Sequence, residues 1–547
     1  MSHTLDGLVT ELAKHQGDRP AFGHLGKSLT YTEVDVLSRR FAAWIQHCTD
    51  LAPGDRLAIQ LPNCMQYPVA LFGALRAGLV VVNTNPLYGE AELKHLLQDS
   101  GARALLVYEP LSGPASRVIA ETNVDYVLTT QIGDLHSGWR RWLLNTCAHY
   151  RRRGGGRRMR GGTPLTEVLK TETGRHWAPA PTSELALLQY TGGTTGAAKG
   201  AMLTHASLLA NVEQLRQRLQ EVDTESGMTL LQPLPMYHIY SFILVMLMFS
   251  QGRYVELVPD PHDAKSLASA FERVKPSCFA GINPLFVALC QKPEFSQLDF
   301  SSLKLTISGG MALTESAARR WQDVTGCAVT EGYGLTECSP VVSVARPGME
   351  RIGSAGMPLT GTEVRIVDEQ GELVPCGESG EILVRGPQLM QGYWHEPDNN
   401  GQIRTGGWLA TGDIGQIDEG GEIHIIDRRK EMINVSGFKV YPSELENLIS
   451  AHPDILECAV IGLPDDERGE FIKLYVVSNN PRLTARGVRE YCRERLTSYK
   501  VPRSVEFRHD LPRNSIGKVM RRTLREEALV EQGENAGIDS QQARRLG

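Results

Sequence analysis

Apolar positions in the first third of the chain fall into short continuous runs separated by longer stretches with helical spacing. "DRLAIQL" (Asp55 to Leu61), "LVVVNTN" (Leu79 to Asn85) and "RALLVY" are β-rich runs of the kind covered on both faces of a sheet. Between the first two, "YPVALFGALRAG" has helical periodicity and stops at Gly78. "SLTYTEVDVLSRRFAAWIQHC" passes from a strand-like start into an amphipathic helix. Strands that alternate with helices of this length predict a parallel sheet with crossover connections. Residues 353–430 change character: "EVRIVD", "EILVRG" and "GEIHIID" alternate apolar and polar positions between glycines, which predicts an antiparallel, β-rich unit. Helix, strand and helix patterns then follow to about residue 510, as in a small α+β unit, and the polar tail "EQGENAGIDSQQARRLG" is expected to fray. The expected fold is therefore α/β. A large N-terminal domain would span 1–429, with parallel-sheet subdomains and a β-rich subdomain at about 353–429. A small α+β domain would span 430–547, joined at the charged stretch "DRRKE".

The most apolar run is "IYSFILVMLMFSQG", Ile239 to Gly252. Its uninterrupted core of about a dozen residues is short of the ~20 that a spanning helix needs, so it predicts a buried helix, one able to wall a greasy pocket. A net charge of −6 supplies no global field for nucleic acid, and no zinc-finger or RNA-binding motif is present. None of the ten cysteines forms a CxxC pair, and the N-terminus lacks a secretory apolar core. Reduced thiols in a cytoplasmic protein are the expectation. One segment departs from this background. Residues 136–162 carry eight arginines among Trp139, Trp142, Leu143 and Leu144. Two readings stand for it: a solvated insertion with a flexible loop, or a peripheral contact with anionic lipid on the inner face of the membrane.

Candidate chemistry centres on "YTGGTTGAAKGAMLTH", Tyr190 to His205. A strand-like "LALLQY" precedes the glycines, and the pattern from "GAMLTH" onward turns helical. Glycines let backbone N–H groups approach an anion, threonines add hydroxyl donors and Lys199 adds a point charge. This points to a polyphosphate. A Walker A loop would need GxxxxGK followed by Ser or Thr, whereas Lys199 lies between Ala198 and Gly200.

The stretch resembles the signature loop of the adenylate-forming enzymes, which include acyl-CoA synthetases, peptide-synthetase adenylation domains and luciferases. Further motifs follow in that superfamily's order: "PLPMYHIY" (Pro233 to Tyr240), "SGGMAL" (Ser308 to Leu313), "EGYGLTE" (Glu331 to Glu337), "TGD" (Thr411 to Asp413), "DRRKEMINVSGFKVYPSELE" (Asp427 to Glu446) and "NSIGKVMRR" (Asn514 to Arg522). Within the superfamily the stretch from "GGWLATGD" to "YPSELE" looks most like bacterial long-chain-fatty-acid–CoA ligases. The resemblance implies activation of a medium- or long-chain fatty acid by ATP as an acyl-adenylate, releasing pyrophosphate, and then transfer to coenzyme A, releasing AMP. Ligases for aryl acids or for carrier-protein acceptors share most of these motifs and form the alternative. The chain runs on only briefly after Lys518, which favours free coenzyme A over a fused carrier. A non-catalytic nucleotide or lipid sensor is the remote reading. The expected partners are fatty acid, ATP, coenzyme A and Mg²⁺, with no nucleic acid, in a monomer or homodimer.

Carried onto this sequence, the resemblance implies residue roles. Thr191, Gly192, Gly193, Thr194, Thr195, Gly196 and Lys199 hold the β- and γ-phosphates. Thr336 touches the α-phosphate and Glu337 binds magnesium. Gly309, Gly310, Tyr333 and Gly334 form the adenine slot, with Asp413 on the ribose and Arg428 on ribose or phosphate. His238, Phe242 and Gly310 border the acyl pocket. Lys518 bridges acyl carboxylate and α-phosphate. The C-terminal domain is expected to rotate about Lys430, withdrawing Lys518 and bringing Ser436, Gly437 and Lys439 to coenzyme A.

Overall fold

The structure is a computed structural model that describes residues 3–151, 159, 161–173, 179–180, 183–191, 198–222, 228–261, 263–396, 403–404, 406–465, 469–514 and 517–531. The glycine-rich turn at 192–197, most of the arginine–glycine run and the tail expected to fray lie outside these residues.

Four sheets organise the chain. A seven-stranded sheet has the order Thr163–Pro164, Tyr126–Thr130, Ala104–Tyr108, Arg56–Gln60, Val80–Asn83, Leu185–Thr191, Lys199–Thr204. It is parallel except for its last pair. A nine-stranded sheet has a parallel centre running Val329–Gly334, Leu305–Ser308, Cys278–Gly281, Thr229–Gln232, Tyr254–Leu257, Pro20–His24, with antiparallel edges. The period-two segments form an antiparallel sheet from Glu363–Val367, Gly380–Arg385, Ile403–Arg404, Trp408–Ile417 and Ile423–Arg428. The last sheet comprises Ile433–Val435, Phe438–Val440, Ile455–Asp465, Gly469–Ser478 and Ser504–Phe507.

Local chemistry explains several elements directly. Helix Tyr31–Cys48 starts at a capping box, in which Thr30 and Glu33 satisfy each other's backbone N–H groups. Helix Ile239–Ser250 is apolar all round and buried from Ile239 to Phe249, as its sequence requires. Phe249 stacks on Phe22 with ring centroids 5.4 Å apart, so the helix packs on the nine-stranded sheet at its strand Pro20–His24.

One local expectation changes. The residues just after the glycine-rich turn form strand Lys199–Thr204, not helix, and helix His205–Arg218 begins only afterwards. The strand pairs antiparallel with Leu185–Thr191 from Thr191↔Lys199 to Leu185↔Thr204. Pairing and burial of Ala201 and Leu203 outweigh the weak helical periodicity there. Thr204 then caps the helix by accepting from Ser207 N at 2.9 Å.

Helix Gly138–Arg151 turns its aromatic face outward, with Trp139 and Trp142 70% and 69% exposed. Among the described residues, no helix is long and apolar enough to cross a membrane.

Candidate active site

Four neighbouring parallel strands of the nine-stranded sheet end at one edge. The segments that leave the first three carry Leu234 and His238, then Ile282, then Gly309 and Gly310, and the fourth strand ends on Tyr333 and Gly334. Ligands in open α/β sheets bind outside such carboxyl ends. Here Leu234, His238, Tyr240, Ile282, Gly309 and Gly310 line a narrow cleft with room of only about 10 Å³. That is smaller than the roughly 300–1,000 Å³ of most ligand pockets, so a long alkyl chain requires side chains to move. Phe242 is fully buried in the core and does not line the cleft.

His238 caps helix Ile239–Ser250, its Nδ1 accepting from Tyr240 N at 3.3 Å. It keeps part of its surface open to the cleft, yet burial pushes its pKa down to about 4. The imidazole is therefore neutral at pH 7, which suits hydrogen bonding to a carboxylate rather than pairing with it. A Cβ on Gly309 would lie 3.2 Å from the Tyr240 ring, and Gly310 adopts φ +78 with open space beside it. Gly334 is needed for packing as well: a Cβ there would meet Pro340 O at 2.1 Å.

The antiparallel sheet supplies the polar wall. Asp413 and Arg428 face each other in register, with Arg428 Nε 3.0 Å from Asp413 Oδ1. Tyr333 donates its hydroxyl to Asp413 Oδ2 at 2.7 Å. Burial and the Asp413 charge hold the Tyr333 hydroxyl well above its usual pKa, so it remains a donor. The pairing with Asp413 in turn raises the Arg428 pKa. These three groups, far apart in sequence, thus form one corner. On the same strand as Tyr333, Glu331 accepts from Gly353 N at 3.1 Å, and burial raises its carboxyl to about 7.

The phosphate side is partly visible. Thr191 and Lys199 stand opposite each other at the mouth of their hairpin. Gly192, Gly193, Thr194, Thr195 and Gly196 lie outside the described residues. Thr336 and Glu337 sit on the short helical turn Thr336–Cys338. Sequence reasoning missed two neighbours here. Tyr393 donates its hydroxyl to Glu337 Oε1, and Glu396 Oε2 accepts from Lys199 Nζ at 2.6 Å. The stretch "GYWHE" carries no signal that could have found them.

Lys518 is brought to this corner from the far end of the chain. Asn514 Oδ1 accepts from Lys518 N at 2.8 Å, and a Cβ on Gly517 would lie 3.2 Å from Ile282 Cδ1. The loop therefore rests on the rim of the cleft. Burial lowers the Lys518 pKa, as do Arg428 and Arg521, while Glu431 and Asp413 act against them. Lys430 lies exposed in the turn Arg429–Glu431. Beside it Arg521 contacts Glu431 and reaches Glu446 Oε2 at 2.6 Å. Ser436, Gly437 and Lys439 are exposed, and Lys439 Nζ pairs with Glu369 Oε1 at 2.7 Å. The structure thus gathers Lys518, and not this hairpin, beside Asp413 and Arg428.

Known proteins resemble this chain over nearly its whole length. The description "AMP-binding enzyme" matches residues 9–394, and "AMP-binding enzyme C-terminal domain" matches residues 444–518. A long-chain-fatty-acid–CoA ligase of Escherichia coli O6:H1 is 42% identical over 96% of this chain and 94% of its own. An ATP-bound MatB from Rhodopseudomonas palustris superimposes with TM-score 0.83 at 28% identity, covering 96% of this chain and 99% of that one. An anthranilate CoA ligase in complex with anthranoyl-AMP gives TM-score 0.85 at 24% identity, covering 96% and 97%, a likeness of fold.

Proposed function

The chain belongs to the AMP-binding enzyme family, and from that premise we propose that it is an AMP-forming ligase joining a long-chain fatty acid to coenzyme A. The fatty-acid ligase relatives align over nearly the full chain. The carrying observation is the meeting of Lys518, Asp413, Arg428 and Tyr333 beside an apolar-rimmed cleft.

In the first step a carboxylate oxygen attacks the α-phosphorus, the α–β bridging P–O bond breaks and pyrophosphate leaves. Two anions must approach each other, so the site has to supply cations at the point of contact. Lys518 takes that position, spanning acyl carboxylate and α-phosphate. Asp413 accepts the ribose hydroxyls, held in place by Tyr333 and Arg428. Gly309 and Gly310 admit the adenine against backbone. His238, neutral, orients the substrate carboxylate. Thr191 and Lys199 hold the terminal phosphates, with Thr336 at the α-phosphate. Glu337 offers a hard carboxylate oxygen that would hold Mg²⁺. When bound, that ion screens the charge of the triphosphate.

In the second step the coenzyme A thiolate attacks the acyl carbon and AMP departs, the thiol proton passing to solvent. Lys518 stands in the way, so a domain spanning 430–547 turns about Lys430 relative to 1–429. Ser436, Gly437 and Lys439 then come to the thiol's tunnel; Gly437, at φ +86 with open space beside it, leaves room for a narrow chain. The protein works in the cytoplasm. Helix Gly138–Arg151, with its outward tryptophans, offers a peripheral contact to anionic membrane; its deletion should abolish flotation with anionic liposomes.

The test is ATP- and coenzyme-A-dependent AMP release across acids from C2 to C18 and several aryl acids. Activity rising with alkyl length is expected, since each buried CH₂ contributes roughly 0.8 kcal/mol. Activity confined to aryl acids would overturn the fatty-acid assignment, and none with any acid would overturn ligation.

A further inference from the structure

Residues 390–396 cross the phosphate side of the site, tied down by backbone. Met390 N donates to Glu337 O at 2.8 Å, Gln391 N to Met202 O at 3.0 Å, Met202 N to Gly392 O at 2.9 Å and Trp394 N to Gly200 O at 2.8 Å. Ala201 bridges Tyr393 in antiparallel sense, and Trp394 Nε1 donates to Asp99 O at 3.1 Å. The stretch is thus an added edge beside strand Lys199–Thr204, and its register fixes which side chains face the site. Tyr393 is buried, and its ring centroid lies 5.7 Å from Lys199 Nζ. Three residues on, Glu396 reaches Lys199 Nζ at 2.6 Å. The two side chains of this ion pair remain 35% and 34% exposed. Water screens such a pair, and it is weak enough to be exchanged for another anion.

We infer that Glu396 is a tethered competitor for the terminal phosphates. It holds Lys199 while no phosphate is present and yields it when a triphosphate enters. The inference rests on the reading that Lys199 binds the β- and γ-phosphates. A phosphate oxygen at Lys199 requires the N–H donor that Glu396 now takes, and the displaced carboxylate remains nearby as a like charge. Glu396 therefore weakens every ligand whose phosphates reach Lys199. That includes the departing pyrophosphate, so the same residue that taxes ATP binding speeds release of the first product. AMP carries only the α-phosphate and is untouched.

Calorimetric titration of the full chain with MgATP, magnesium pyrophosphate and AMP separates these ligands. Glu396→Gln is expected to bind ATP and pyrophosphate about five-fold more tightly, with AMP unchanged. Glu396→Ser should give the same gain, which guards against a fault peculiar to one variant. In the Lys199→Ala background the gain should shrink to the part owed to like-charge repulsion. Unchanged or weaker ATP binding by both Glu396 variants, with normal melting curves, would overturn the inference, as would an equal gain for AMP. Lys199→Ala alone tests the underlying reading. If it loses ATP affinity while the Glu396 variants gain none, only the competitor role fails. If it binds ATP as the parent does, both fail.

Discussion

Lys199 and Lys518 are the cations expected at opposite ends of the reacting phosphate chain, and they differ in whether a carboxylate already holds them. Lys199 is half-exposed and already paired with Glu396 at 2.6 Å. Lys518 is part-exposed as well, but burial around its ammonium and the nearby Arg428 lower its pKa; among the described residues, no carboxylate stands within ion-pair distance of it. An ammonium that must exchange one anion for another gains little when substrate arrives. An ammonium without a close partner gains more, because the incoming carboxylate and phosphate supply the missing charge. The contrast fits the proposed roles, reversible capture at the phosphate end and transition-state stabilisation at the acyl end.

The strongest way to break that contrast is Lys518→Ala. ATP–pyrophosphate exchange should fall by about 10²–10³-fold, while thioester formation from pre-made acyl-adenylate stays close to the parent rate. Near-parent exchange would remove Lys518 from the first step. Next, Lys430→Pro restricts the turn about which the second half-reaction depends. Stopped assays of each half-reaction should show the thioester step slowed at least about ten-fold more than adenylation; equal losses would count against rotation. Lys199→Ala should raise the KM for ATP by about ten-fold and lower kcat less, since a charge-assisted hydrogen bond is worth roughly 1.5–3 kcal/mol and the Glu396 pairing is given up in either case. An effect as large as that of Lys518→Ala on kcat would erase the difference between the two ends.

The smallest effect concerns Glu331, a third charge near the same corner. Its carboxyl is raised by burial to about 7 from an ordinary 4.5. Between those values the folded protein binds a proton that the unfolded chain has lost, so this group makes stability fall as pH rises from about 4.5 to about 7. Partial exposure limits the change to about 1 kcal/mol. Denaturant melts of Glu331→Gln across that range should lack the decline; an identical decline in the variant would show that other groups cause it.

The motifs named the candidate residues, because residues that meet one ligand tend to cluster on one loop. "EGYGLTE" and "DRRKE" each place neighbours together without help from the fold. The Tyr333–Asp413 hydrogen bond at 2.7 Å was not legible, since its partners lie on different sheets. Nor was Glu396, which stands in an ordinary polar stretch and matters only because residues 390–396 pair beside Lys199–Thr204. Strand Lys199–Thr204 was not legible either, because its antiparallel partner, not its own periodicity, decides its conformation.

By itself, then, the sequence determined the α/β class, the buried character of Ile239–Ser250 and the residue types of the candidate site, since these follow from local periodicity and from short motifs. The tertiary structure alone decided three things: that the cleft is narrow with Phe242 outside it, that Lys518 rather than the Ser436–Lys439 hairpin faces Asp413 and Arg428, and that Lys199 already holds a carboxylate. Each depends on how separate elements pack. Distances between side chains on different sheets are set by that packing and by no property of either segment alone.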